Sequence, residues 1–257
     1  MSSVLFEIND SVAFITLNRP EKYNAFNREM ALLLQEKLDA CKSSDVRCVF
    51  ITGAGKAFCS GQDLEEVVDP NGPKIETIVG EHYNPIIEKI RKLEKPVVAA
   101  VNGVAAGAGA NIALCCDVVV ASQTASFIQA FSKIGLIPDS GGTFFLPRLI
   151  GWQKASALML LGEKVGAEEA ERIGMVYKVL PAENFAEEAG KIARTLAAMP
   201  TRGLAYTKQL LNNAFVNNYE EQLHDEEIYQ QRAGRTKDYK EGVDAFLQKR
   251  KPTFTGE

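Results

Sequence analysis

Asp139 lies in an apolar loop, GLIPDSGGT (residues 135–143), that Pro138 stiffens. Apolar surroundings disfavour the charged form of a carboxyl group and raise its pKa towards the range that suits general acid–base catalysis. The same position would also suit the N-cap of a helix starting near Ser140, where a side-chain oxygen accepts a backbone N–H. The local sequence therefore predicts either an acid–base residue or a helix cap at Asp139.

Two glycine-rich turns could present backbone N–H groups to an anion. They are AFCSGQDL (residues 57–64) and VNGVAAGAGAN (residues 101–111). A turn that leads into a helix leaves N–H donors unpaired, and these favour negative charge. Ordinary packing explains both turns as well, with Asp63 as a helix cap and the glycines allowing tight helix–sheet contact. The order GxxxGxG in the second turn is neither a dinucleotide fingerprint nor a Walker loop.

The composition excludes several other kinds of site. The chain has 257 residues, with 29 basic and 33 acidic side chains, whereas nucleic-acid-binding proteins usually carry a basic excess. The two histidines, His82 and His224, are too few for a multi-histidine metal site, and no metal ligands are predicted. We expect His82 on a helix surface, with the pocket wall as the alternative, and His224 in solvent. The five cysteines lack CxxC spacing, which favours reduced thiols inside a cell.

The N-terminus and the apolar segments predict a cytoplasmic protein. The first residues, MSSVLFEINDSV, have neither the basic region nor the apolar region of a secretory signal. The longest apolar stretch, residues 96–121, is interrupted by Asn102, Asn111 and Asp117 and by several glycines. Because polar residues are costly inside a bilayer, we expect a buried core segment here and not a membrane span.

Strand-like and helix-like stretches alternate through the first part of the chain. The predicted strands are residues 12–17, 48–52, 96–101 and 118–121. A helix at residues 27–42, with Asn27 as its N-cap, follows the first of them. Such alternation predicts an α/β fold with a largely parallel sheet. Helices dominate from about Pro147 onward, so we expect a core at residues 1–195 and a helical C-terminal region at residues 196–257.

Four segments in order along the chain carry a family resemblance. They are FCSGQDL, PVVAAVNGVAAGAGANIALCCD, GLIPDSGGT followed by LPRLIG, and the closing EGVDAFLQKRKPTF. Together with LNRPEKYNAF near the start, they resemble the enoyl-CoA hydratase/isomerase (crotonase) superfamily. The resemblance implies a crotonase (ClpP/crotonase-like) α/β fold of repeated ββα units with a helical C-terminal region that drives trimerisation. It also implies a homotrimer or a dimer of trimers that takes an acyl-CoA substrate, with neither nucleic acid nor membrane as a partner.

The family holds a thioester carbonyl in an oxyanion hole made of two backbone N–H groups while the substrate becomes an enolate. Matched to this sequence, the donors are the N–H groups of Gln62 and Ala108. Because both donors belong to the backbone, the Gln62 side chain is not expected to matter. Loss of one such donor typically lowers the rate by about 10²–10³-fold.

The resemblance also implies contacts for coenzyme A. Carbonyls near Lys22 and Ser60 match those that contact the adenine end of the molecule. Phe246 and Lys249 match a C-terminal helix that helps to close the CoA site, in some members on a neighbouring subunit. Lys249 would equally suit a solvated helix face in its KRK cluster. Coenzyme A enters as part of the substrate, and no metal or redox cofactor is implied.

Two positions depart from the hydratases of the family. Those enzymes add water to a 2-enoyl double bond with two glutamates, but here the matching residues are Asn111 and Phe131, which cannot act as a general base. Asp139 occupies a third position, which several isomerases use for acid–base chemistry. Asn111, Phe131 and Tyr83 are expected on the pocket wall, with core packing as the alternative for the two aromatic residues. These departures favour an isomerase over a simple hydratase.

Within the superfamily, the sequence looks closest to the 1,2-epoxyphenylacetyl-CoA isomerases of phenylacetate degradation. The supporting stretches are VDPNGP, AFSKIGLIPDSGGT and YKEGVDAFLQKRKPTFTG. This implies conversion of a ring epoxide into the seven-membered oxepin-CoA, with Δ3,Δ2-enoyl-CoA isomerisation by the same groups. The alternatives are an enoyl-CoA hydratase/isomerase of fatty-acid β-oxidation, an aryl-CoA dehalogenase and a non-catalytic scaffold subunit. A dehalogenase would lack its companion tryptophan and histidine, whose places are taken by Phe131 and Asn84.

Overall fold

The computed structural model describes residues 2–257, which form two β-sheets covered by helices. The strands are β1 Val4–Asn9, β2 Val12–Leu17, β3 Cys48–Gly53, β4 Ala57–Cys59, β5 Val97–Val101, β6 Val104–Ala106, β7 Val118–Ser122, β8 Ser126–Ile128, β9 Lys164–Gly166 and β10 Lys178–Leu180. The large sheet has the order β1-β2-β3-β5-β7-β10 and the small sheet the order β4-β6-β8-β9. Only β1 and β9 run antiparallel to their neighbours, so both sheets are largely parallel, as predicted.

Helices follow most of the strands and make up the C-terminal part. They are α1 Arg28–Ala40, α2 Leu64–Val68, α3 Ile75–Thr77, α4 Asn84–Lys92, α5 Ala108–Leu114, α6 Gly142–Ile150, α7 Trp152–Leu161, α8 Ala167–Arg172, α9 Phe185–Ala197, α10 Thr201–Asn213, α11 Tyr219–Ala233 and α12 Lys237–Leu247. A π-helix, Ile78–Tyr83, leads directly into α4. Short 3₁₀ turns occur at Pro20–Lys22, Ala130–Ile134 and Ala182–Asn184. Among the described residues, no helix has both the length and the apolar character needed to cross a membrane.

The central strands of the large sheet are buried on both faces, which explains why they are continuously apolar. Successive side chains of a strand point to opposite faces. In β3, Val49 and Ile51 belong to the main core, which also contains side chains of the small sheet and of α1. Cys48 and Phe50 belong to a second core, which α9 covers. The sheet therefore needs apolar residues at every position of its central strands.

Three successive strand pairs, β3–β4, β5–β6 and β7–β8, cross from the large sheet to the small one, and a helix follows each pair. The first two crossings depend on glycine, because the chain passes very close to itself. A Cβ atom at Gly53 would lie 2.2 Å from the Ala57 carbonyl oxygen, and one at Gly103 would lie 2.1 Å from the Lys56 carbonyl oxygen. These repeats are the expected ββα units.

The last long helix that packs on the large sheet is α9. Its apolar face, which includes Phe185, Ala189 and Ala193, lies in the second core with Phe50 of β3. The domain boundary expected between residues 195 and 196 falls inside this helix. The division into a core and a C-terminal region stays a prediction, and α9 as a whole packs with the core.

The observed helix N-caps show which of the predicted cap residues are correct. Asn27 caps α1 and Asp63 caps α2, each by accepting a backbone N–H from the first turn. Asp139 does not cap a helix, because α6 begins later, at Gly142. The cap interpretation of Asp63 is thus confirmed and that of Asp139 is wrong.

His82 lies inside the protein, so the expectation of a place on a helix surface is wrong. Its side chain is 1% exposed, and no described residue forms a hydrogen bond with its Nε2 atom. Burial lowers the pKa of His82, because desolvation disfavours the imidazolium form. The π-helix accounts for this placement, since its wide turn directs both His82 and Tyr83 inward.

Candidate active site

The predicted oxyanion donors and Asp139 follow three neighbouring parallel strands of the small sheet. Gln62 comes after β4, Ala108 after β6 and Asp139 after β8. Because parallel strands end at the same edge of a sheet, the topology directs these segments to one side of the molecule. This edge is the candidate active site.

The first turn exposes the N–H group of Gln62. Gly61 adopts a left-handed conformation (φ 97°), which an L side chain rarely adopts. Phe26 pairs with the residues on either side of Gln62: its N–H donates to the Gly61 carbonyl (2.7 Å), and its carbonyl accepts from the Asp63 N–H (2.8 Å). The Gln62 N–H is left without an acceptor among the described residues.

The second turn exposes the N–H group of Ala108 in the same way. Gly107 has φ 52° and precedes α5, whose first residue is Ala108. The helix lies close against the first turn, because a Cβ atom at Gly109 would lie 2.5 Å from the Cys59 carbonyl oxygen. A Cβ atom at Gly61 would lie 3.7 Å from the Ala108 nitrogen, so the two turns adjoin. No described residue accepts the Ala108 N–H. Two free N–H groups side by side can stabilise a developing oxyanion.

Asp139 is a half-buried carboxylate in the third segment. Burial raises the pKa of Asp139 above its ordinary value, and a hydrogen bond of 2.9 Å from Ser140 Oγ to Oδ1 offsets part of the rise. Its main-chain carbonyl accepts two hydrogen bonds, one from Asn111 Nδ2 at 2.9 Å and one from the Gly142 N–H at 2.8 Å. A carboxylate that has a raised pKa, and whose backbone is fixed by hydrogen bonds, is suited to proton transfer.

Asn111 and Phe131, which the resemblance matches to the glutamates of hydratases, carry no group that could act as a general base. Asn111 is 1% exposed, and its Oδ1 accepts a hydrogen bond of 2.8 Å from Gln129 Nε2. The Phe131 ring lies beside the second turn, with its Cζ 3.7 Å from the position of a Cβ at Gly107. The structure therefore brings both residues to the site, where Phe131 lines the turn and Asn111 supports the Asp139 loop.

The Gln62 side chain forms hydrogen bonds at both ends of its amide. Its Oε1 accepts a hydrogen bond of 2.6 Å from the Tyr83 hydroxyl, and its Nε2 donates to Glu66 Oε2 at 2.9 Å. Tyr83 is 1% exposed, so its hydroxyl meets Gln62 while its ring packs in the core. Sequence reasoning missed Glu66, although its spacing of four residues from Gln62 is the one at which helical side chains meet.

Comparison with known proteins identifies the family. Residues 7–257 match the family described as enoyl-CoA hydratase/isomerase. The chain belongs to this family. It is 49% identical to a 1,2-epoxyphenylacetyl-CoA isomerase of Escherichia coli, over 100% of this chain and 99% of that protein. It is 43% identical to a protein of Rhodobacter capsulatus named "probable enoyl-CoA hydratase", over 99% and 98% of the two chains.

A solved structure of the family supports the fold. The enoyl-CoA hydratase of Bacillus anthracis superposes with a TM-score of 0.92 at 32% identity, over 99% of this chain and all of that one. The expected crotonase fold is thereby confirmed, as is the expectation of an enzyme of the hydratase/isomerase family. Two sheets and the ββα repeats are the shared architecture that places the turns.

The residues expected to bind CoA in this hydratase/isomerase chain fall into two groups. Lys22 and Ser60 lie together beside the first turn: Ser60 Oγ donates to the Lys22 carbonyl at 3.4 Å, and the Ser60 N–H donates to the Tyr23 carbonyl at 3.0 Å. The Lys22 ammonium forms an ion pair of 2.5 Å with Glu65. The carbonyl of Lys22 and the backbone of Ser60 thus border the first turn.

Phe246 and Lys249 lie elsewhere, at the end of α12. Phe246 is 83% exposed and lines a groove of about 570 Å³ formed by α10, α11, α12 and the C-terminal tail. None of the residues that line this groove belongs to the turns at Gln62, Ala108 or Asp139. The groove that Phe246 lines is thus a different pocket from the candidate site, and the roles of Phe246 and Lys249 stay predictions.

The site has no arrangement of metal ligands. Among residues 2–257, no group of three or more His, Cys, Asp or Glu side chains is placed to hold a metal ion. The five cysteines are buried free thiols. Burial raises the pKa of Cys59 to about 12, so this thiol behind the first turn stays protonated.

Proposed function

We propose that this enzyme isomerises acyl-CoA thioesters, with 1,2-epoxyphenylacetyl-CoA as its substrate and oxepin-CoA as its product. Δ3,Δ2-enoyl-CoA isomerisation would use the same groups. One observation carries the proposal: the carboxylate among the predicted catalytic residues is Asp139, whereas the places of the two hydratase glutamates hold Asn111 and Phe131. The identity of 49% with the Escherichia coli isomerase supports the choice of substrate.

The enoyl reaction shows how the parts would work. The ionised Asp139 carboxylate takes a proton from C2 of a 3-enoyl-CoA, and the electron pair of that C–H bond moves into the thioester carbonyl. The resulting dienolate oxygen accepts hydrogen bonds from the N–H groups of Gln62 and Ala108, which lower the energy of the intermediate. The protonated Asp139 then returns its proton to C4, and the double bond forms between C2 and C3.

The epoxide reaction would use the same carboxylate. The thioester is held by the two N–H groups, and Asp139 assists proton movement while the epoxide opens and the ring expands to seven members. Phe131 beside the second turn excludes water from this side of the substrate. A site without a second carboxylate at the hydratase positions is suited to rearranging atoms already in the substrate and not to adding water.

We further propose where coenzyme A lies and how the subunits assemble. The Lys22 carbonyl and Ser60 would contact the adenine end, because both border the first turn. Phe246 and Lys249 would close the CoA site of a neighbouring subunit in a homotrimer or a dimer of trimers. The 83% exposure of Phe246 and its place in a groove that none of the three turns lines support this arrangement. The five free thiols support a place in the cytoplasm.

A substrate panel tests the proposed function. Purified enzyme is assayed separately with trans-3-hexenoyl-CoA, trans-2-hexenoyl-CoA and 1,2-epoxyphenylacetyl-CoA generated in situ, and products are separated by chromatography and identified by mass. We expect 3-enoyl-CoA to yield 2-enoyl-CoA and the epoxide to yield oxepin-CoA. Asp139→Asn serves as the matched inactive control.

Hydration of 2-enoyl-CoA provides the competing outcome. The resemblance to the Rhodobacter capsulatus protein named for hydration favours this second candidate, in which the enzyme acts in fatty-acid β-oxidation. Rapid formation of 3-hydroxyhexanoyl-CoA would therefore contradict the argument from Asn111 and Phe131. Tight acyl-CoA binding without turnover of any substrate would instead favour a scaffold subunit.

A further inference from the structure

The side chains behind the first oxyanion turn form a continuous chain of hydrogen bonds. We infer that Tyr83 is a positioning residue, which holds Gln62 so that its backbone N–H points at the thioester oxygen. The inference deepens the proposed function and rests on it, because it assigns Tyr83 a part in the oxyanion hole. The predicted alternatives for Tyr83 were the pocket wall and the core.

The hydroxyl of Tyr83 forms the first contact of this chain. It donates to Gln62 Oε1 at 2.6 Å, and the Tyr83 side chain is 1% exposed. Burial raises the pKa of Tyr83 well above its ordinary value, so the hydroxyl keeps its proton and remains a donor. A buried donor is costly to leave unpaired. The hydrogen bond between Tyr83 and Gln62 therefore fixes the orientation of the Gln62 side chain relative to the π-helix.

The ring of Tyr83 contacts the other support of the turn. It packs edge to face against Phe26, with ring centroids 5.8 Å apart. Phe26 in turn bonds the backbone of Gly61 and Asp63, the two residues that flank Gln62. Tyr83 thus supports Gln62 twice, through its hydroxyl and through the residue that pairs with both neighbours.

Glu66 anchors the opposite side of the Gln62 amide. Its Oε2 accepts from Gln62 Nε2 at 2.9 Å, and its Oε1 accepts from the Arg28 N–H at 2.9 Å, at the start of α1. Helices leave such first-turn N–H groups unpaired, so Glu66 gains a fixed partner there. With both ends of its amide bonded, the Gln62 side chain cannot rotate without breaking two hydrogen bonds.

The π-helix sets the position of Tyr83 itself. The Asn84 N–H donates to the Val79 carbonyl five residues earlier, which widens the turn immediately before Tyr83. From Asn84 onward α4 is regular and buries Ile86 and Ile90 in the main core. π-helical turns are frequently found at functional sites. Here the turn connects the core to the oxyanion donor through one hydroxyl group.

Removal of the hydroxyl alone tests the inference. Tyr83→Phe keeps the ring and its contact with Phe26 but leaves Gln62 Oε1 without a donor. Misplacement of catalytic groups by about 1 Å can cost on the order of 10²-fold in rate. We expect kcat for trans-3-hexenoyl-CoA to fall by about 10- to 100-fold with KM changed less than about twofold, because the N–H acts mainly on the transition state. The matched control is Tyr206→Phe, whose ring packs at a tilt against Tyr229 with the ring centroids 5.4 Å apart, and it should behave as wild type.

A carbonyl-stretch measurement gives a readout that a merely structural role would not change. The probe is butyryl-CoA labelled with ¹³C at the thioester carbonyl, which binds but cannot isomerise. Hydrogen bonding in the oxyanion hole lowers the infrared frequency of the bound carbonyl. We expect a clear downshift in the wild type and a smaller one in Tyr83→Phe.

The second variant, Gln62→Met, removes both bonds of the side chain but keeps the backbone N–H. If Tyr83 acts through Gln62, the double variant Tyr83→Phe/Gln62→Met should be no slower than Gln62→Met alone. Additive losses would contradict the inference. So would a Tyr83→Phe enzyme with wild-type kcat and carbonyl frequency, or one altered only in thermal stability.

The two readouts separate this inference from the proposed function. The infrared measurement needs binding and not turnover. A wild-type enzyme that lowers the carbonyl frequency of bound butyryl-CoA but isomerises no substrate would contradict the proposed reaction. The comparison of carbonyl frequencies with Tyr83→Phe would still decide the role of Tyr83. A wild type that binds butyryl-CoA without any downshift would overturn the oxyanion hole and this inference together.

Discussion

The side-chain amide of Asn111 donates a hydrogen bond of 2.9 Å to the main-chain carbonyl of Asp139. The same amide accepts from Gln129 Nε2 at 2.8 Å, and the position of a Cβ at Gly142 lies only 2.3 Å from Asn111 Nδ2. Asn111 is therefore enclosed by the loop that carries Asp139. Its side-chain amide holds that loop through the hydrogen bond to the Asp139 carbonyl.

Asn111→Ala should weaken both the fold and the reaction. The substitution leaves Gln129 Nε2 buried without its acceptor and removes one of the two donors to the Asp139 carbonyl. We expect the free energy of unfolding to fall by about 2 kcal/mol, since unpaired buried polar groups cost about 1–3 kcal/mol each. Urea denaturation measures this change, and kcat should fall as the Asp139 loop loosens. Asn71→Ala, on an exposed loop, is the control, and an equal loss there would refute the argument.

Asp139→Asn should abolish isomerisation without preventing binding. Asparagine fills the same space but cannot take a proton from C2. We expect kcat to fall by about 10³-fold or more, in line with the contribution of general acid–base catalysis, while the Kd for butyryl-CoA stays within about threefold by calorimetry. Asp10→Asn is the control, because Asp10 lies far along the chain in an exposed turn. Activity of Asp139→Asn within a few-fold of wild type would be incompatible with the assigned role.

The pKa of Asp139 also predicts how its effect on stability changes with pH. Burial raises the pKa of the carboxyl in the folded state above its value in the unfolded chain. The protonated Asp139 side chain therefore contributes to the stability of the fold below the unfolded pKa, near 4. This contribution is lost as the pH rises through the pKa of the folded state. Relative to wild type, Asp139→Asn should become more stable between pH 4 and pH 7, as measured by urea denaturation at each pH. A stability difference that falls with rising pH would contradict the direction of the shift.

The contact between the two oxyanion turns predicts a strong effect at Gly109. In Gly109→Ala the new methyl group would lie 2.5 Å from the Cys59 carbonyl oxygen and 2.6 Å from its sulfur, so α5 must move away from β4. We expect a loss of about 2 kcal/mol in unfolding free energy, as for other overpacked cores, and a lower kcat because the Ala108 N–H moves with the helix. Gly166→Ala has no atom within 4 Å of its methyl group and should change both quantities little. Similar effects in the two variants would exclude close packing of the turns as the cause.

Local sequence predicted the elements that depend on neighbouring residues. The cap at Asn27 is correct because an N-cap bond reaches only two or three residues along the chain. The buried strands were recognisable because both faces of the large sheet need apolar side chains. Asp139 was ambiguous, since a cap and an acid–base residue use the same residue type, and only the start of α6 at Gly142 excludes the cap.

Hydrogen bonds between segments that are distant in the chain could not be predicted from sequence patterns. The bond from Tyr83 to Gln62 joins residues 21 apart, and that from Asn111 to Asp139 joins residues 28 apart. His82 was placed wrongly because the inward turn arises from a π-helix, whose hydrogen bonds leave no simple periodicity in the sequence. The contacts of the Gln62 side chain could not be predicted for a related reason. A backbone N–H donor in the sequence does not reveal which side chains fix its position.

The sequence by itself determined the α/β class, the family and the three segments that carry the site, because motifs and apolar patterns are local properties. The tertiary structure alone decided how those segments meet. Parallel pairing of β4, β6 and β8 brings three turns to one edge, and glycines at 61 and 109 let the backbones approach closely. Which side chains hold the donors and the carboxylate depends on this approach, since a hydrogen bond requires two partners within about 3 Å wherever they lie in the chain.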